Sequence, residues 1–454
     1  MPPPERQRPR ARRLVVGLIA ALLAVPLLEL VAGMGLSPIY GPAMTPDVSF
    51  VAAGSGSVAA GSTARSTSEG GGPRAASSAS PSTSVPSSAG PVPTPTLAPE
   101  ARLLATLDAR IADWRVQTGT PGVAATIVFK DGSRWNGVAG LSDVARGIPV
   151  RPGTPFSIAS MSKTFTAALV MRLIDQKRLR IDEPAAPRLA GTGITLDARI
   201  TIGQLLDHTS GIGDYLVNPK IEAPWAATPD QRWSPLQSWA YQPPAVFPPG
   251  GGFYYSNANY MLLGLIVEKL TGSSMAANLR EAFFDPLGLR SASYQAVEPS
   301  ALAVARGYKF LTASPTEAPI LMPGNGSAVP FTAVITAAGA SGSVVAAATD
   351  MTTWARSLYS GEVLPIATVG QMVDDAARTV ALASRLPYGY GVHVVTVDGH
   401  PTYGHTGRYL GARGALRWFP LEGLSIAVLT NQSRADPGDL VVDLVRLALA
   451  LPAG

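Results

Sequence analysis

Strand-like segments at both ends of one long region constrain the fold of this chain more than any other feature. Near the start of that region, Val123 to Phe129 and Ser133 to Gly140 flank the turn pair Asp131-Gly132, a pattern typical of a β-hairpin. Near its end, three further apolar segments predict strands: Tyr390 to Val397, Gly414 to Phe419 and Leu424 to Thr430. The arrangement predicts an α+β fold, an α/β sandwich whose antiparallel sheet is formed by both ends of the domain.

Apolar residues at helical spacing predict helices that flank this sheet. A first helix that ends by Thr118-Gly119 is indicated by Leu103, Leu104, Leu107, Ile111 and Trp114. A closing helix is predicted from Leu440 to Leu451. Between the two groups of strands lie further helical patterns, including Met261 to Leu270. We therefore expect an inserted, mainly helical region within a domain that covers residues 100–454.

A long segment of the middle region, Tyr215 to Pro249, combines many prolines with three tryptophans, Trp225, Trp233 and Trp239. Loops of this length are usually functional or disordered, and three tryptophans argue against disorder. We expect the segment to wall a cavity. The alternative is an apolar lid that packs on the helical region.

The first 99 residues predict export and tethering. Residues 1–13 are basic and contribute +4 of the formal net charge of +5, so the charge of the remaining chain does not indicate a nucleic-acid partner. Residues 14–36 are apolar except for Glu29 and favour a membrane anchor, which leaves the domain outside the cytoplasm, over a cleaved signal peptide. Residues 37–99, rich in Ser, Gly and Pro, predict a flexible linker. The alternative with a cleaved signal predicts a secreted protein.

The chemistry is predicted to centre on Ser160 and Lys163, which precede the apolar run from Ala167 to Ile174. On a helix capped by Ser157, residues at i and i+3 share a face, so the hydroxyl and the amine can meet. Lysine can serve as the base for serine only if burial lowers its pKa. The alternative is a cap serine beside a solvated lysine. Only one of the six lysines, Lys163, has a serine three residues before it.

Two short motifs follow, Tyr255-x-Asn257 and His405-Thr406-Gly407. Tyrosine can shuttle a proton, asparagine can hold both lysine and substrate, and glycine lets an acyl group approach a strand backbone. Either motif alone is common, as His208-Thr209-Ser210-Gly211 illustrates. The chain has no cysteine, which excludes disulfides and thiolate catalysis.

Together, and in this order, the three motifs resemble those of the serine β-lactamase and penicillin-binding protein superfamily. The His-Thr-Gly form resembles the branch of class C β-lactamases, D-alanyl-D-alanine carboxypeptidases and β-lactamase-fold esterases. Supporting stretches are Leu205 to Gly211, Tyr255 to Gly264 and Gly404 to Asn431, and the similarity covers residues 100–452. The resemblance implies a serine hydrolase without metal or cofactor, and we expect a monomer.

The resemblance also implies a role for each motif residue. Ser160 would be acylated, with Lys163 and Tyr255 sharing the acid and base roles and Asn257 contacting the substrate amide. His405, Thr406 and Gly407 would replace a Lys-Thr-Gly motif. The backbone N–H groups of Ser160 and Arg408 would bind the oxyanion, and His208 would brace its loop.

Two arginines depart from the pattern of the family. Arg408, where relatives carry a small residue, and Arg413 predict a site for a substrate carboxylate, unless they point to solvent. His405 in place of lysine argues against strong β-lactam hydrolysis. The implied substrates are a D-Ala-D-Ala peptide, an ester or a β-lactam. The alternative is a catalytically weak protein of the cell envelope that binds or regulates, which would not need the whole set of motif residues.

Overall fold

An antiparallel sheet built from both ends of the domain forms the centre of the fold. The computed structural model describes residues 99–450 except 311, 322–331, 383, 385 and 410. The strands are β1 (Gly122–Val128), β2 (Arg134–Asp143), β3 (Ile148–Pro149), β4 (Phe156–Ser157), β5 (Ser293–Tyr294), β6 (Tyr308–Lys309), β7 (Ile320–Leu321), β8 (Val344–Ala346), β9 (His393–Val397), β10 (His400–Tyr409), β11 (Ala412–Phe419) and β12 (Leu424–Thr430). Seven of them form one sheet in the order β3-β2-β1-β12-β11-β10-β9.

The sheet is closed by its first and last long strands. β1 pairs antiparallel with β12, from Val123 opposite Thr430 to Val128 opposite Ser425. Every other neighbouring pair in the sheet is also antiparallel. The predicted α+β class and the contribution of both ends of the domain to one sheet are therefore confirmed.

Helices cover both faces of the sheet. They are α1 (Pro99–Thr118), α2 (Ser162–Asp175), α3 (Ile202–Leu206), α4 (Pro219–Ala227), α5 (Pro235–Trp239), α6 (Asn257–Thr271), α7 (Met275–Leu279), α8 (Thr332–Ala338), α9 (Ala348–Tyr359), α10 (Ile366–Asp374), α11 (Ala376–Ala381) and α12 (Pro437–Leu449). The terminal helices α1 and α12 pack on one face, where Val123, Ala125 and Ile127 of β1 are buried with them. The alternate residue Ala124 faces the helical region, as strand geometry requires.

The closing helix starts earlier than its apolar pattern suggests. α12 begins at Pro437, three residues before the predicted Leu440, because the Asp436 side chain accepts a hydrogen bond from the Gly438 N–H at 2.9 Å and caps the helix. Pro437 is suited to the first position of a helix. The predicted last residue, Leu451, lies outside the described residues.

The helical region packs against the opposite face of the sheet. α9 contacts β1, β11 and β12, and Trp354 of α9 stacks on Phe165 of α2 with ring centroids 4.0 Å apart. Both rings belong to one large buried cluster that extends into the sheet. The helix that follows Ser160 is therefore held by the core on its buried side.

The tryptophan-rich segment packs as an apolar lid on this region. Trp225 and Trp233 are buried in the core cluster, edge to face with ring centroids 6.1 Å apart, and Trp239 packs against the same cluster. Of the two alternatives for this segment, the structure supports the lid.

The predicted N-terminal segments 1–13 and 14–36, and residues 37–98 of the predicted linker, lie outside the described residues. Within the part of the chain that the structure describes, no helix is both long and apolar enough to span a bilayer.

Candidate active site

Ser160 lies in a tight turn between a short strand and a long helix. β4 pairs with β8, with Phe156 opposite Ala346, and a 3-10 turn, Ala159–Met161, then leads into α2. The prediction that Ser157 caps the helix is wrong, because Ser157 belongs to β4 and α2 begins only at Ser162. Ala159 has a φ of +47°, a conformation that is strained for a residue with a side chain. This turn holds Ser160 at the start of α2, where unpaired N–H groups favour negative charge.

Lys163, in the first turn of α2, is fully buried and directed at Ser160. Its Nζ donates hydrogen bonds to Ser160 Oγ at 3.2 Å, to Asn257 Oδ1 at 2.7 Å and to the Ser341 carbonyl at 2.9 Å. Burial lowers the pKa of Lys163 to about 7, and the charge of Asp214 opposes that change. A substantial fraction of this amine is therefore neutral near pH 7 and can accept a proton from serine.

Asn257, the first residue of α6, links Lys163 to a buried carboxylate. Its Oδ1 accepts the bond from Lys163, and its Nδ2 donates to Asp214 Oδ2 at 2.7 Å. Asp214 lies just before a 3-10 turn, Tyr215–Val217, in the segment that follows the His-Thr-Ser-Gly sequence. Asn257 belongs to a predicted motif, whereas Asp214 belongs to none and was not predicted.

Tyr255 completes the wall of the site beside Lys163. The Lys163 Nζ lies 4.8 Å from the centroid of its ring. Burial raises the pKa of Tyr255, and a contact with Ser160 offsets only part of that rise. Among the described residues, the buried Tyr255 hydroxyl makes no hydrogen bond of ordinary geometry. The sequence suggested a lowered pKa next to the lysine, but burial keeps the phenol of Tyr255 protonated near pH 7.

The His-Thr-Gly motif lies within β10 and not merely beside the predicted strands. A Cβ atom added to Gly407 would lie 2.0 Å from the Ile158 carbonyl oxygen, so only glycine allows β10 to lie this close to the turn of Ser160. The backbone N–H groups of Ser160 and Arg408 stay the predicted oxyanion donors. The contact between β10 and the turn is the arrangement that this role requires.

His405 is a buried neutral group rather than a cation. Its Nε2 lies 3.1 Å from the Tyr388 hydroxyl, its Nδ1 lies 2.5 Å from the Thr406 carbonyl, and its ring stacks on His393 with centroids 4.0 Å apart. Burial, more than the charge of Lys163, holds the pKa of His405 well below its ordinary value. The half-buried Thr406 lies on the opposite face of the strand.

Arg413 is engaged away from the serine. Arg408 of β10 and Arg413 of β11 are direct cross-strand partners, so both lie on the sheet face opposite His405. The Arg413 guanidinium forms an ion pair with Asp436, the residue that caps α12. The structure therefore does not support the prediction that Arg413 binds a substrate carboxylate. Arg408 lies on the same face of the sheet, so its side chain also leaves the strand on the side opposite His405.

His208 occupies the bracing position that the sequence suggested. It has a φ of +63°, its Nδ1 accepts a hydrogen bond from the Ser256 N–H at 3.2 Å, and the same atom lies 3.1 Å from Asn259 Nδ2. Burial keeps the pKa of His208 well below its ordinary value. Its contacts tie the loop at residues 207–211 to the start of α6, next to Asn257.

Comparison with known proteins places these features in a family. The family model described as Beta-lactamase matches residues 101–450. Penicillin-binding protein 4 of Amycolatopsis lactamdurans is 30% identical over 358 residues, which cover 75% of this chain and 88% of that protein. Esterase EstB of Burkholderia gladioli is 32% identical over 201 residues, covering 40% of this chain and 49% of the esterase. The solved structure of a D-stereospecific amidohydrolase from Streptomyces sp. matches with a TM-score of 0.62 at 27% identity, covering 78% of this chain and 99% of that one.

Proposed function

Because the chain belongs to the beta-lactamase family, within the superfamily of serine β-lactamases and penicillin-binding proteins, we propose that it is a serine hydrolase that forms an acyl-enzyme on Ser160. One observation carries the proposal. The buried amine of Lys163 lies 3.2 Å from the Ser160 hydroxyl, and burial lowers its pKa to about 7. A neutral amine in hydrogen-bond contact with a serine is the base that this nucleophile needs.

In the acylation step, Ser160 Oγ bonds to the acyl carbon of the substrate while its proton passes to the neutral Nζ of Lys163. The π electron pair of the carbonyl moves onto its oxygen, next to the N–H groups of Ser160 and Arg408. When the carbonyl re-forms, the bond to the leaving group breaks. The leaving group takes a proton from the Tyr255 hydroxyl, and the Lys163 ammonium returns a proton to Tyr255.

Deacylation runs through the same groups in the opposite sense. Water adds to the acyl carbon and gives a proton to Lys163. The ester bond to Ser160 then breaks, the serine oxygen recovers a proton, and the acid is released. Asn257 holds the amine in place throughout, since its Oδ1 accepts from Nζ at 2.7 Å.

The charges around the site favour esters and D-amino acid amides that lack a free carboxylate over substrates that carry one, such as β-lactams. His405 is neutral where a motif lysine would add a fixed cation, and Arg413 is paired with Asp436. A substrate carboxylate therefore finds less fixed positive charge here than beside a Lys-Thr-Gly motif. Similarity to an esterase and to a D-stereospecific amidohydrolase supports the same order of preference.

A binding or regulatory protein without turnover is the other candidate. A buried lysine destabilises the fold when its charge is not fully compensated. A binding role gives no reason to keep such a residue. The hydrogen bonds from Lys163 to Ser160 and Asn257 therefore favour the enzyme. Placement outside the cytoplasm, by an anchor or a signal within residues 1–36, and the monomeric state remain parts of the proposal.

The test compares hydrolysis by the full chain of three substrates: p-nitrophenyl butyrate, a peptide ending in D-Ala-D-Ala, and benzylpenicillin. The variant Ser160→Ala should abolish turnover of every active substrate. Ser157→Ala is a matched control, because its hydroxyl is buried without a hydrogen-bond partner among the described residues and should not be needed. Absence of turnover of all three substrates, or equal turnover by Ser160→Ala, would contradict the proposal.

A further inference from the structure

Asp214 is a buried carboxylate that touches the catalytic network without touching Ser160. Its side chain is almost completely buried, and its Oδ1 accepts a hydrogen bond from the Leu216 N–H at 3.0 Å. Its Oδ2 accepts from Asn257 Nδ2 at 2.7 Å. The first bond caps a short turn, whereas the second reaches the side chain that holds Lys163.

The Asn257 amide is oriented by opposite partners at its two ends. Its oxygen accepts from the Lys163 amine and its nitrogen donates to the Asp214 carboxylate. If the amide were reversed, its N–H groups would face the amine and its oxygen would face the carboxylate, so both hydrogen bonds would be lost. Asp214 therefore determines which end of Asn257 faces Lys163.

Asp214 is also the acidic group whose charge acts on Lys163. The other titratable groups that face this amine among the described residues are imidazoles and phenols: His208, His393, His405, Tyr255 and Tyr260. Burial lowers the pKa of each of these histidines and raises the pKa of both tyrosines, so all five are neutral near pH 7.

Among the described residues, Lys163 is the charged group that acts on Asp214. Burial, and to a lesser extent the charge of Asp214, raises the pKa of Tyr215, Tyr254, Tyr255 and Tyr409, which remain protonated phenols. Burial raises the pKa of Asp214, while its hydrogen bonds and the charge of Lys163 lower it. Carboxylate, amide and amine thus form one connected unit behind Ser160.

We propose that Asp214 is a positioning residue for the acylation of Ser160, acting through the Asn257 amide to orient Lys163 and to control when its amine gives up a proton. This inference rests on the proposed function, since orientation of the base matters only if Ser160 is acylated. The predicted consequence is specific. Loss of the Asp214 charge should make Lys163 release its proton at lower pH and should also loosen the orientation of Asn257.

The experiment measures the titration of Lys163 directly, without using activity. The full chain contains six lysines, so the 13Cε resonances of protein labelled with [13C]lysine can be assigned by replacing Lys163 with arginine. In Asp214→Asn, the titration midpoint of the Lys163 resonance should fall by about one pH unit relative to wild type. A nearby opposite charge typically shifts a pKa by about that much. An unchanged or higher midpoint would overturn the inference.

Kinetics give the second readout. The acid limb of the pH profile for kcat/KM should move to lower pH by the same amount in Asp214→Asn. Each protein's kcat/KM can be divided by its own plateau value. At a given pH on the acid side, this ratio should be about tenfold higher for Asp214→Asn than for wild type. The plateau itself should fall, because Asn257 is less well oriented. A lower plateau with an unmoved limb would indicate a merely structural role and would also overturn the inference.

Asp207→Asn is the matched control. Asp207 is an equally buried carboxylate in the same loop, but it pairs with Arg378 and with Thr209 rather than with the lysine network. Its replacement should lower stability while the Lys163 midpoint stays within error of wild type. An equal shift in Asp207→Asn would show that loop disorder, and not the Asp214 charge, moves the titration.

Two further measurements keep the result decisive. If Asp214→Asn does not fold, as judged by circular dichroism, Asp214→Ser removes the same charge with a smaller group. In wild-type protein labelled with [γ-13C]aspartate, the Asp214 resonance should respond across the pH range in which Lys163 titrates, as expected of coupled groups. If the wild-type protein shows no turnover that requires Ser160, the proposed function is refuted. Turnover with an unresponsive Lys163 midpoint would refute only the role of Asp214.

Discussion

The Nζ atom of Lys163 lies 3.2 Å from Oγ of Ser160, and both side chains are buried. Three hydrogen bonds satisfy the amine, and two of them, to Asn257 and to the Ser341 carbonyl, come from parts of the chain that are distant in sequence. The base is therefore placed by the tertiary fold, and its expected effects on activity and on stability both depend on that placement.

Replacement of Lys163 by arginine should abolish the base while keeping a cation. Arginine stays protonated at any accessible pH, so kcat/KM for an ester should fall by at least about 100-fold. In wild type, kcat/KM should decline as pH falls through about 7, because the Lys163 amine becomes protonated. Lys220→Arg, at an exposed site in α4, is the control and should behave as wild type. Retention of activity by Lys163→Arg would contradict the assigned role.

The buried lysine should also leave a signature in stability. Its pKa is about 7 in the fold and about 10.4 in the unfolded chain, so the unfolded state binds more protons between these values. The stability of wild type relative to Lys163→Met should therefore rise with pH by about 1.4 kcal/mol per unit from pH 7 to 10. Urea denaturation of both proteins at pH 7, 8 and 9 measures the difference. A difference independent of pH would contradict the lowered pKa.

Gly407→Ala should damage the site because the new methyl group would overlap the Ile158 carbonyl oxygen. β10 must then move away from the turn that carries Ser160, which displaces the predicted oxyanion donors. Removal of one such donor typically costs roughly 100- to 1,000-fold in kcat, and a comparable loss is expected here.

The control for this prediction is Gly153→Ala, since no atom lies within 4 Å of a Cβ added at Gly153. Steady-state kinetics on the preferred ester, together with thermal unfolding, separate loss of catalysis from loss of fold. A fully active Gly407→Ala protein would show that the close approach of β10 is not required.

Arg413→Ala should leave substrate binding intact. The guanidinium is paired with Asp436 at the start of α12, so its loss should cost about 1 kcal/mol of stability and leave KM unchanged. The matching test uses two peptides that differ only in a free or amidated C-terminal carboxylate. A KM that rises selectively for the free carboxylate in Arg413→Ala would restore the substrate-binding role that the sequence suggested.

The elements with strong apolar patterns were predictable from the sequence. α1 ends at Thr118 as predicted, and β12 has the predicted bounds, because a buried strand and an amphipathic helix leave a clear periodicity. β10 was missed as a strand. Its sequence from His400 to Tyr409 contains proline, two glycines and several polar residues, which are unfavourable in strands but suit a strand that lines a site.

The contacts of the site could be predicted only in part. Ser160, Lys163, Tyr255 and Asn257 are brought together as expected, because short motifs identify them. Asp214 has no motif of its own, and its bond to Asn257 joins residues 43 positions apart. A contact of this kind depends on how loops fold over the core, and local patterns do not encode it.

The most direct test of the central claim is intact-mass spectrometry of the full chain during turnover, with acid quenching after milliseconds to seconds. Wild-type protein incubated with p-nitrophenyl butyrate or benzylpenicillin should gain the mass of one acyl group, or of one penicillin. Proteolysis should locate the added mass on the peptide that contains Ser160. Ser160→Ala should gain none. Hydrolysis by wild type without any adduct on Ser160, or the same adduct on Ser160→Ala, would contradict the acyl-enzyme.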